Sequence, residues 1–164
     1  MVLMMEQSYL QNHYDIVENK YGYQFSTQTG AKYFLTFILY PPVSDFLSTK
    51  IYMFNIERYN FIDSGQDDIK VRNTIIYVLD LFFSEHENAL ITICDILDGK
   101  QFARKRLFDS WFQKYNNKRL IKIESKCFID DIPTFVSLMF VKGHYEQANL
   151  QKIFQELVDI NFYN

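Results

Sequence analysis

The chain has 164 residues with a formal net charge of −3, and 48% of its residues are apolar. This length is enough for one domain with a large hydrophobic core, and five Gly and three Pro leave little room for long linkers. The composition therefore excludes a disordered or fibrous protein, and we expect a single domain spanning residues 1–164.

The sequence contains no recognisable targeting or membrane segment. Its first six residues, MVLMME, lack the basic flank and the long apolar run of a signal peptide. The richest apolar run, residues 33–40, is far shorter than the roughly 20 residues that span a bilayer. We therefore expect a cytoplasmic protein that does not contact a membrane.

The N-terminal part of the chain predicts a short helix followed by strands. Leu10, Tyr14 and Val17 would share one face of the helix. Aromatic residues alternate with smaller or polar ones over residues 21–27, and a turn containing glycine leads into residues 32–40. This pattern predicts a β-hairpin.

The middle of the chain predicts a strand, a helix and a second strand. Residues 51–58 alternate as a strand does, and the apolar spacing then becomes helical over residues 68–85, with an aspartate at the N-cap. Ala89–Cys94 is a continuous apolar run rich in β-branched residues, which is typical of a strand buried on both faces. We therefore place Ala89–Cys94 in the interior of the sheet.

The C-terminal part predicts a helix over residues 99–115, strands over residues 121–129 and 134–141, and a last helix. The first of these helices would bury Leu107, Phe108, Trp111, Phe112 and Tyr115. The last helix carries one apolar stripe, Leu150, Ile153, Phe154 and Leu157. Together the elements predict an α+β fold with a mostly antiparallel or mixed sheet of about six strands and three or four helices.

One stretch, ICDILDGKQFARKRLFDSWF at residues 93–112, combines carboxylates, a glycine, cations and aromatic residues. Its start is a candidate ligand site, because ligands often bind at the carboxyl ends of strands and anions at helix N-termini. Asp95, Asp98 and Gly99 would form that site. The alternative, which we favour, is structural: Asp98 caps the helix with Gln101 three residues later, and Asp95 pairs with Arg104 or Arg106.

No catalytic constellation is evident. The three histidines lack metal-ligand spacing, and the nucleophile-elbow, phosphate-loop and dinucleotide motifs are missing from the sequence. Cys94 and Cys127 lie in apolar runs and are predicted to be buried thiols. We therefore predict no catalytic residue, no metal and no cofactor.

The stretch at residues 93–112 and the early hairpin sequence YQFSTQTGAKY resemble a family of short bacterial proteins that is known only as a domain of unknown function. The likeness runs over most of the chain. Because that family has no established activity, the resemblance implies a bacterial origin and assigns no residue roles.

The predicted order of elements is also similar to the core of the Gcn5-related N-acetyltransferases. In that family a loop of the pattern Q/R-x-x-G-x-G/A cradles the cofactor pyrophosphate. The resemblance places residues 66–71 at this loop, where Gln66 matches but Ile69 and Val71 replace the small residues. It places Phe108 where the family often has a tyrosine acid. It therefore implies an acetyltransferase-like topology in which acyl-CoA chemistry is lost or atypical.

Charge is segregated along the chain. Residues 100–126 contain nine basic and two acidic residues, a net charge of +7, so the remainder carries −10. This asymmetry is compatible with a basic face packed beside acidic loops of the same domain, and equally with a field that attracts an acidic partner. We expect partner binding through Lys100, Arg104, Lys105, Arg106, Lys114, Lys118 and Arg119.

The partner of this basic segment would be an acidic protein, a second copy of the chain or nucleic acid. We rank nucleic acid lowest, because the net charge is −3 and no aromatic platform is interleaved with the basic residues. These features favour a non-catalytic interaction protein. The alternative is an acyl-CoA-dependent N-acyltransferase with an atypical cofactor loop.

Overall fold

A computed structural model of the chain describes residues 11–41, 48–60, 69–94, 99–116 and 118–162. These residues form seven strands and three helices. In chain order they are β1 (Val17–Asn19), β2 (Gly22–Ser26), β3 (Lys32–Leu39), β4 (Ile51–Tyr59), α1 (Ile69–Ser84), β5 (Ala89–Cys94), α2 (Gln101–Tyr115), β6 (Leu120–Ile129), β7 (Ile132–Val141) and α3 (Gln147–Phe162).

The strands form one mixed sheet in the order β1-β2-β3-β4-β5-β7-β6. β4 and β5 are parallel, whereas β1–β2, β2–β3, β5–β7 and β6–β7 are antiparallel. The predicted α+β class with a mixed sheet is therefore confirmed. None of the helices in the described ranges is long and apolar enough to cross a membrane.

The predicted N-terminal helix extends too far: Gln11 is helical, but Tyr14 and Val17 are not. Val17 lies in β1, where its partner in β2 is Gln24, and not on a helical face with Tyr14. β1 has only three residues, all of them exposed, so no alternation marked it in the sequence. Leu10, the third residue of the predicted helical face, lies outside the described residues.

Contacts along the chain group into two compact units. The first unit comprises Met1–Ile38 and Phe54–Glu85, and it contains a run of stacked rings. The ring of Phe25 lies 4.9 Å from that of Tyr33 and 5.8 Å from that of Tyr14, both nearly parallel. Because Phe25 is 3% exposed, burying this ring contributes roughly 1.5–3 kcal/mol to the stability of the first unit.

The second unit comprises Leu39–Met53 and His86–Asn164, and β5 and β7 carry its core. Ala89–Cys94 pairs with β4 on one side and with β7 on the other, which confirms its predicted interior position. Residues paired across a sheet share a face, so Ala89 and Ile91 lie on the same side as Phe140 and Leu138. This face packs against the predicted apolar stripe of α3.

Strands β6 and β7 meet in a two-residue turn, Asp130 and Asp131, whose φ values are 48° and 63°. Left-handed values at both positions give the twist that a tight hairpin needs, and aspartate tolerates them better than most residues. β7 therefore begins at Ile132, two residues earlier than predicted.

Candidate functional site

Helix α2 covers the sheet face opposite α3, and four charged side chains connect it to β6. These four residues, here called the α2 ion-pair cluster, are Lys105, Asp109, Lys122 and Glu124. The Lys122 ammonium lies 2.5 Å from Asp109 and 2.6 Å from Glu124, and the Lys105 ammonium lies 2.5 Å from Asp109 and 3.5 Å from Glu124. Two cations and two anions alternate, so the cluster is electrically neutral.

The cluster is partly shielded from water. Lys122 is 9% exposed, and two carboxylates pair with its ammonium. Such pairing offsets the cost of shielding the charge from water. Partial burial by itself would raise the pKa of Asp109, but hydrogen bonds from Lys105 and Lys122 outweigh it and lower this pKa to about 2. The hydrogen bond to Asp109 in turn raises the pKa of Lys105. Asp109 is therefore ionised at neutral pH and poorly suited to act as a general base.

Beside the cluster, two hydroxyl groups and a thiol lie between α2 and the sheet. The hydroxyls of Thr92 and Ser137 form a buried hydrogen bond of 2.5 Å across β5 and β7. Burial raises the pKa of the neighbouring Cys94 thiol, although positive charges, most of all Arg104, oppose the shift. The gap between these groups has a volume of only about 10 Å³, roughly that of a single water. This arrangement therefore provides neither a reactive thiolate nor room for a substrate.

The second cysteine lies on the other side of the sheet. Cys94 pairs with Phe135, and Cys127 pairs with Thr134, the preceding residue of β7. Because adjacent residues of a strand point to opposite faces, the two thiols are separated by the sheet. Both are free and buried, as the sequence predicted, and burial also raises the pKa of Cys127.

Five of the seven exposed residues of α2 lie at helical spacing and are here called its outward face: Ala103, Arg106, Leu107, Ser110 and Lys114. Leu107 is 48% exposed, so the prediction that it is buried is wrong. The four aromatic residues of this helix that were also predicted to be buried are half-buried: Phe108, Trp111, Phe112 and Tyr115. α2 departs from the prediction because its contact with the sheet includes the ion-pair cluster, which leaves less of its inner surface for apolar residues.

The structure divides the seven predicted partner-binding residues into three groups. Lys105 belongs to the α2 ion-pair cluster, and Arg104 is half-buried on the inner side of the helix. Arg106 and Lys114 lie together on the outward face of α2, about 12 Å apart along the axis. The exposed residues Lys100, Lys118 and Arg119 flank the two ends of the helix.

Most of the candidate ligand site at the start of α2 cannot be placed, since Asp95 and Asp98 lie outside the described residues. Gly99 is exposed with a φ of 69°, and the helix begins at Gln101 with Lys100 at the N-cap, two residues later than predicted. The side-chain carbonyl oxygen of Gln101 is buried and accepts no hydrogen bond from the described residues. The ligand site stays a prediction.

Sequence reasoning missed the α2 ion-pair cluster, because Lys122 and Glu124 are distant from α2 along the chain. The spacing of Lys105 and Asp109, four residues apart in a predicted helix, was the available signal. It also missed Glu146, whose carboxylate accepts hydrogen bonds from the backbone N–H groups of Ser48 and Thr49 at 3.0 and 2.7 Å. These bonds, with one from the Thr49 hydroxyl, lower the pKa of Glu146 although burial opposes the shift.

The first unit contains a cleft of about 390 Å³, a volume in the range of small-molecule sites. Its walls include five polar or charged residues and two of the stacked rings, Tyr14 and Phe25; the polar or charged residues are His13, Asp15, Gln24, Lys32 and Lys70. None of the predicted partner-binding or ligand-site residues lines this cleft, although Tyr14 and Val17, predicted only as part of a helical face, do.

Residues 67–159 match the model of a family of unknown function, DUF6169. The match covers more than half of the chain, so the protein belongs to this family, and the expected resemblance to a domain of unknown function is confirmed. The early hairpin sequence lies outside the matched residues. No curated protein and no solved structure matches the chain significantly. The resemblance to the N-acetyltransferases stays a prediction.

Proposed function

We propose that this member of DUF6169 is a non-catalytic cytoplasmic interaction protein, and that the outward face of α2 docks an acidic segment of another protein. The observation that carries the proposal is the exposure of Leu107 between two exposed cations, Arg106 and Lys114. An apolar residue framed by positive charge is complementary to an amphipathic segment whose polar side is acidic.

Charge supports an acidic partner. The α2 ion-pair cluster is neutral, so the net +7 of residues 100–126 is carried by the other seven cations of the segment. The one carboxylate in α2, Asp109, binds inward to two lysines and adds no negative charge to the outward face. A field of one sign accelerates association with an oppositely charged partner and sets its orientation.

The exposed apolar side chains of α2 favour a protein partner over nucleic acid. Besides Leu107, the ring of Phe102 is 45% exposed near the start of the same helix. Burial of such side chains contributes most where the partner is itself apolar, which suits a protein surface better than a phosphate backbone. A second copy docking through the same face would place like charges opposite each other.

The proposal can be tested with a labelled acidic amphipathic helical peptide of Glu and Leu, and with a second peptide in which every Glu is replaced by Lys. The double variant Arg106→Glu/Lys114→Glu should bind the acidic peptide at least about tenfold more weakly than wild type in a fluorescence anisotropy titration. Leu107→Ser should weaken binding without changing its salt dependence.

The matched control is Lys142→Glu/Lys152→Glu, which changes the net charge equally at exposed positions outside α2. It should retain most of the wild-type affinity. If the control weakens binding as much as the α2 variant does, only net charge matters and the proposed face is wrong. Equal binding of the acidic and basic peptides to wild type would contradict the proposal as well.

A second candidate function, acyl-CoA-dependent N-acyl transfer, is supported by the order of elements. The hairpin β2–β3 is followed by β4, α1, β5, α2 and the β6–β7 pair, which is the order on which the N-acetyltransferase resemblance rests. Gln66, Asp67 and Asp68 of the corresponding cofactor loop lie outside the described residues, and Ile69 begins α1. Calorimetry with acetyl-CoA tests this candidate. Micromolar binding that is abolished by substitutions in residues 66–72 would place it above the interaction function.

A further inference from the structure

The strand at one end of the sheet, β6, is long and regular. It has ten residues, pairs with β7 over its whole length, and is followed in the sheet order by no other strand of the described residues. A long terminal strand is a template for pairing with another chain, unless charges or bulges oppose it. The residues that line its outer edge therefore decide whether it pairs and with what.

The register fixes which backbone groups of β6 point outward. The N–H of Lys142 donates to the carbonyl of Arg119 at 2.8 Å, so Arg119 is directed toward β7. The backbone N–H and C=O groups of successive residues in an antiparallel strand point alternately to the two sides of the strand. The odd-numbered residues of β6 therefore bond to β7, and the even-numbered residues present these groups at the outer edge. These residues are Leu120, Lys122, Glu124, Lys126 and Phe128.

The first of these positions is already occupied. The side chain of Asn116 accepts a bond from the N–H of Leu120 at 2.6 Å and donates one to its carbonyl at 3.0 Å. Asn116 therefore closes the edge at Leu120. The outward groups that remain for an incoming strand begin at Lys122 and end at Phe128.

We propose that a second copy of this chain pairs antiparallel along β6, with the two-fold axis at Ser125. In this register Glu124 lies opposite Lys126 of the other copy. The two-fold symmetry forms a second such pair, between Lys126 and Glu124 of the other copy. Lys122, whose side chain is 9% exposed, lies opposite Phe128, whose ring is 49% exposed and gains a cross-strand neighbour in the pair. All four outward residues then form hydrogen-bonded pairs, and the two sheets become one.

Neighbouring registers are less favourable. An axis at Glu124 places the two Glu124 carboxylates opposite each other and Lys122 opposite Lys126, and like charges opposite each other destabilise a strand pair. An axis at Ile123 places Lys126 opposite Leu120, whose outward groups are bonded to Asn116. Charge and edge closure therefore favour the axis at Ser125 over these two registers.

Sedimentation velocity of the full chain across a concentration series tests the proposal. As the concentration of wild type rises, the average mass of the sedimenting species should increase from that of one chain, 19.7 kDa, toward twice that mass. Lys126→Glu, which places four carboxylates together, should weaken the dimer at least about tenfold, whereas Lys152→Glu on α3 should leave it unchanged. A single-chain species at every concentration up to about 1 mM would overturn the proposal.

A charge exchange tests the register. The Glu124→Lys variant carries lysine at both central positions and Lys126→Glu carries glutamate at both, so each should be monomeric alone and the mixture should form a heterodimer. Failure of the mixture to associate, while wild type dimerises, would refute the axis at Ser125.

Glu124 also belongs to the α2 ion-pair cluster, so circular dichroism must show that its variant is folded. Lys126→Pro gives an independent test, because it removes an outward N–H without removing a bond to β7. It should abolish the dimer, and a dimer of unchanged affinity would refute the pairing. The inference does not rest on the proposed function, since neither Arg106 nor Lys114 takes part in it.

Discussion

The ammonium of Lys122 in β6 lies 2.5 Å from the carboxylate of Asp109 in α2, and this pair joins the helix to the sheet by charge. Removing one partner of a shielded pair leaves the other charge without compensation, so loss of either residue should weaken the packing of α2 on the sheet. It also makes the stability of the protein depend on pH in a defined window.

The first prediction concerns Asp109→Asn. The pKa of Asp109 is lowered in the folded state to about 2, so the pair adds stability above the unfolded value near 4 and loses it as the pH falls toward 2. Since Asp109 is 32% exposed, screening by solvent reduces the contribution to on the order of 1 kcal/mol. Urea unfolding from pH 7 to pH 2 should show a flatter decline for the variant. An identical decline in both proteins would contradict the assignment.

The second prediction concerns the buried hydroxyl pair. Thr92→Val leaves the hydroxyl of Ser137 without its partner, and Ser137→Ala does the same to Thr92, so each single change should cost roughly 1–3 kcal/mol. The double variant should cost less than the sum, because no buried hydroxyl is then left unsatisfied. A double-mutant cycle by chemical denaturation measures this coupling, and strict additivity would show that the hydroxyls do not interact.

The third prediction concerns the thiols. Burial raises the pKa of both Cys94 and Cys127, so little thiolate forms at neutral pH. A thiol-specific chromogenic reagent should react with two groups per chain in denaturant and far more slowly with the native protein. Rapid reaction of one native thiol would contradict the prediction, and a Cys94→Ser variant would show whether Cys94, 6% exposed against 0% for Cys127, is the reactive one.

The fourth prediction contrasts two leucines. Leu107→Ser on the outward face of α2 should change the free energy of unfolding by less than about 0.5 kcal/mol, because the side chain is 48% exposed. Leu157→Ala in α3, at a position that is 2% exposed, should cost about 2–5 kcal/mol. Equal losses in urea unfolding would mean that Leu107 is a core residue and that the outward face is misassigned.

The parts of the fold that were predictable have strong local periodicity. Ala89–Cys94 and the stripe of α3 were identified because their burial follows directly from apolar spacing. β1 was missed because a three-residue exposed strand has no pattern of its own and depends on pairing with β2.

The candidate site was less predictable for a related reason. Lys105 and Arg106 are neighbours of the same charge in the sequence, yet one is in an ion-pair cluster and the other faces outward. That division depends on which side of α2 meets Lys122 and Glu124, residues 13 or more positions beyond Asp109 along the chain. Tertiary pairing of this kind leaves no signal in the composition of the segment.

The two-residue turn between β6 and β7 has a kinetic consequence. All ten residue pairs of this hairpin lie within residues 120–141, so it forms with little loss of chain entropy, on the order of microseconds. Parallel pairing of Ile51 with Ala89 must instead close a loop that contains all of α1. We therefore expect the hairpin to be the folding nucleus of the second unit. Asp131→Val, which disfavours the left-handed turn, should slow refolding and leave the unfolding rate nearly unchanged in stopped-flow measurements.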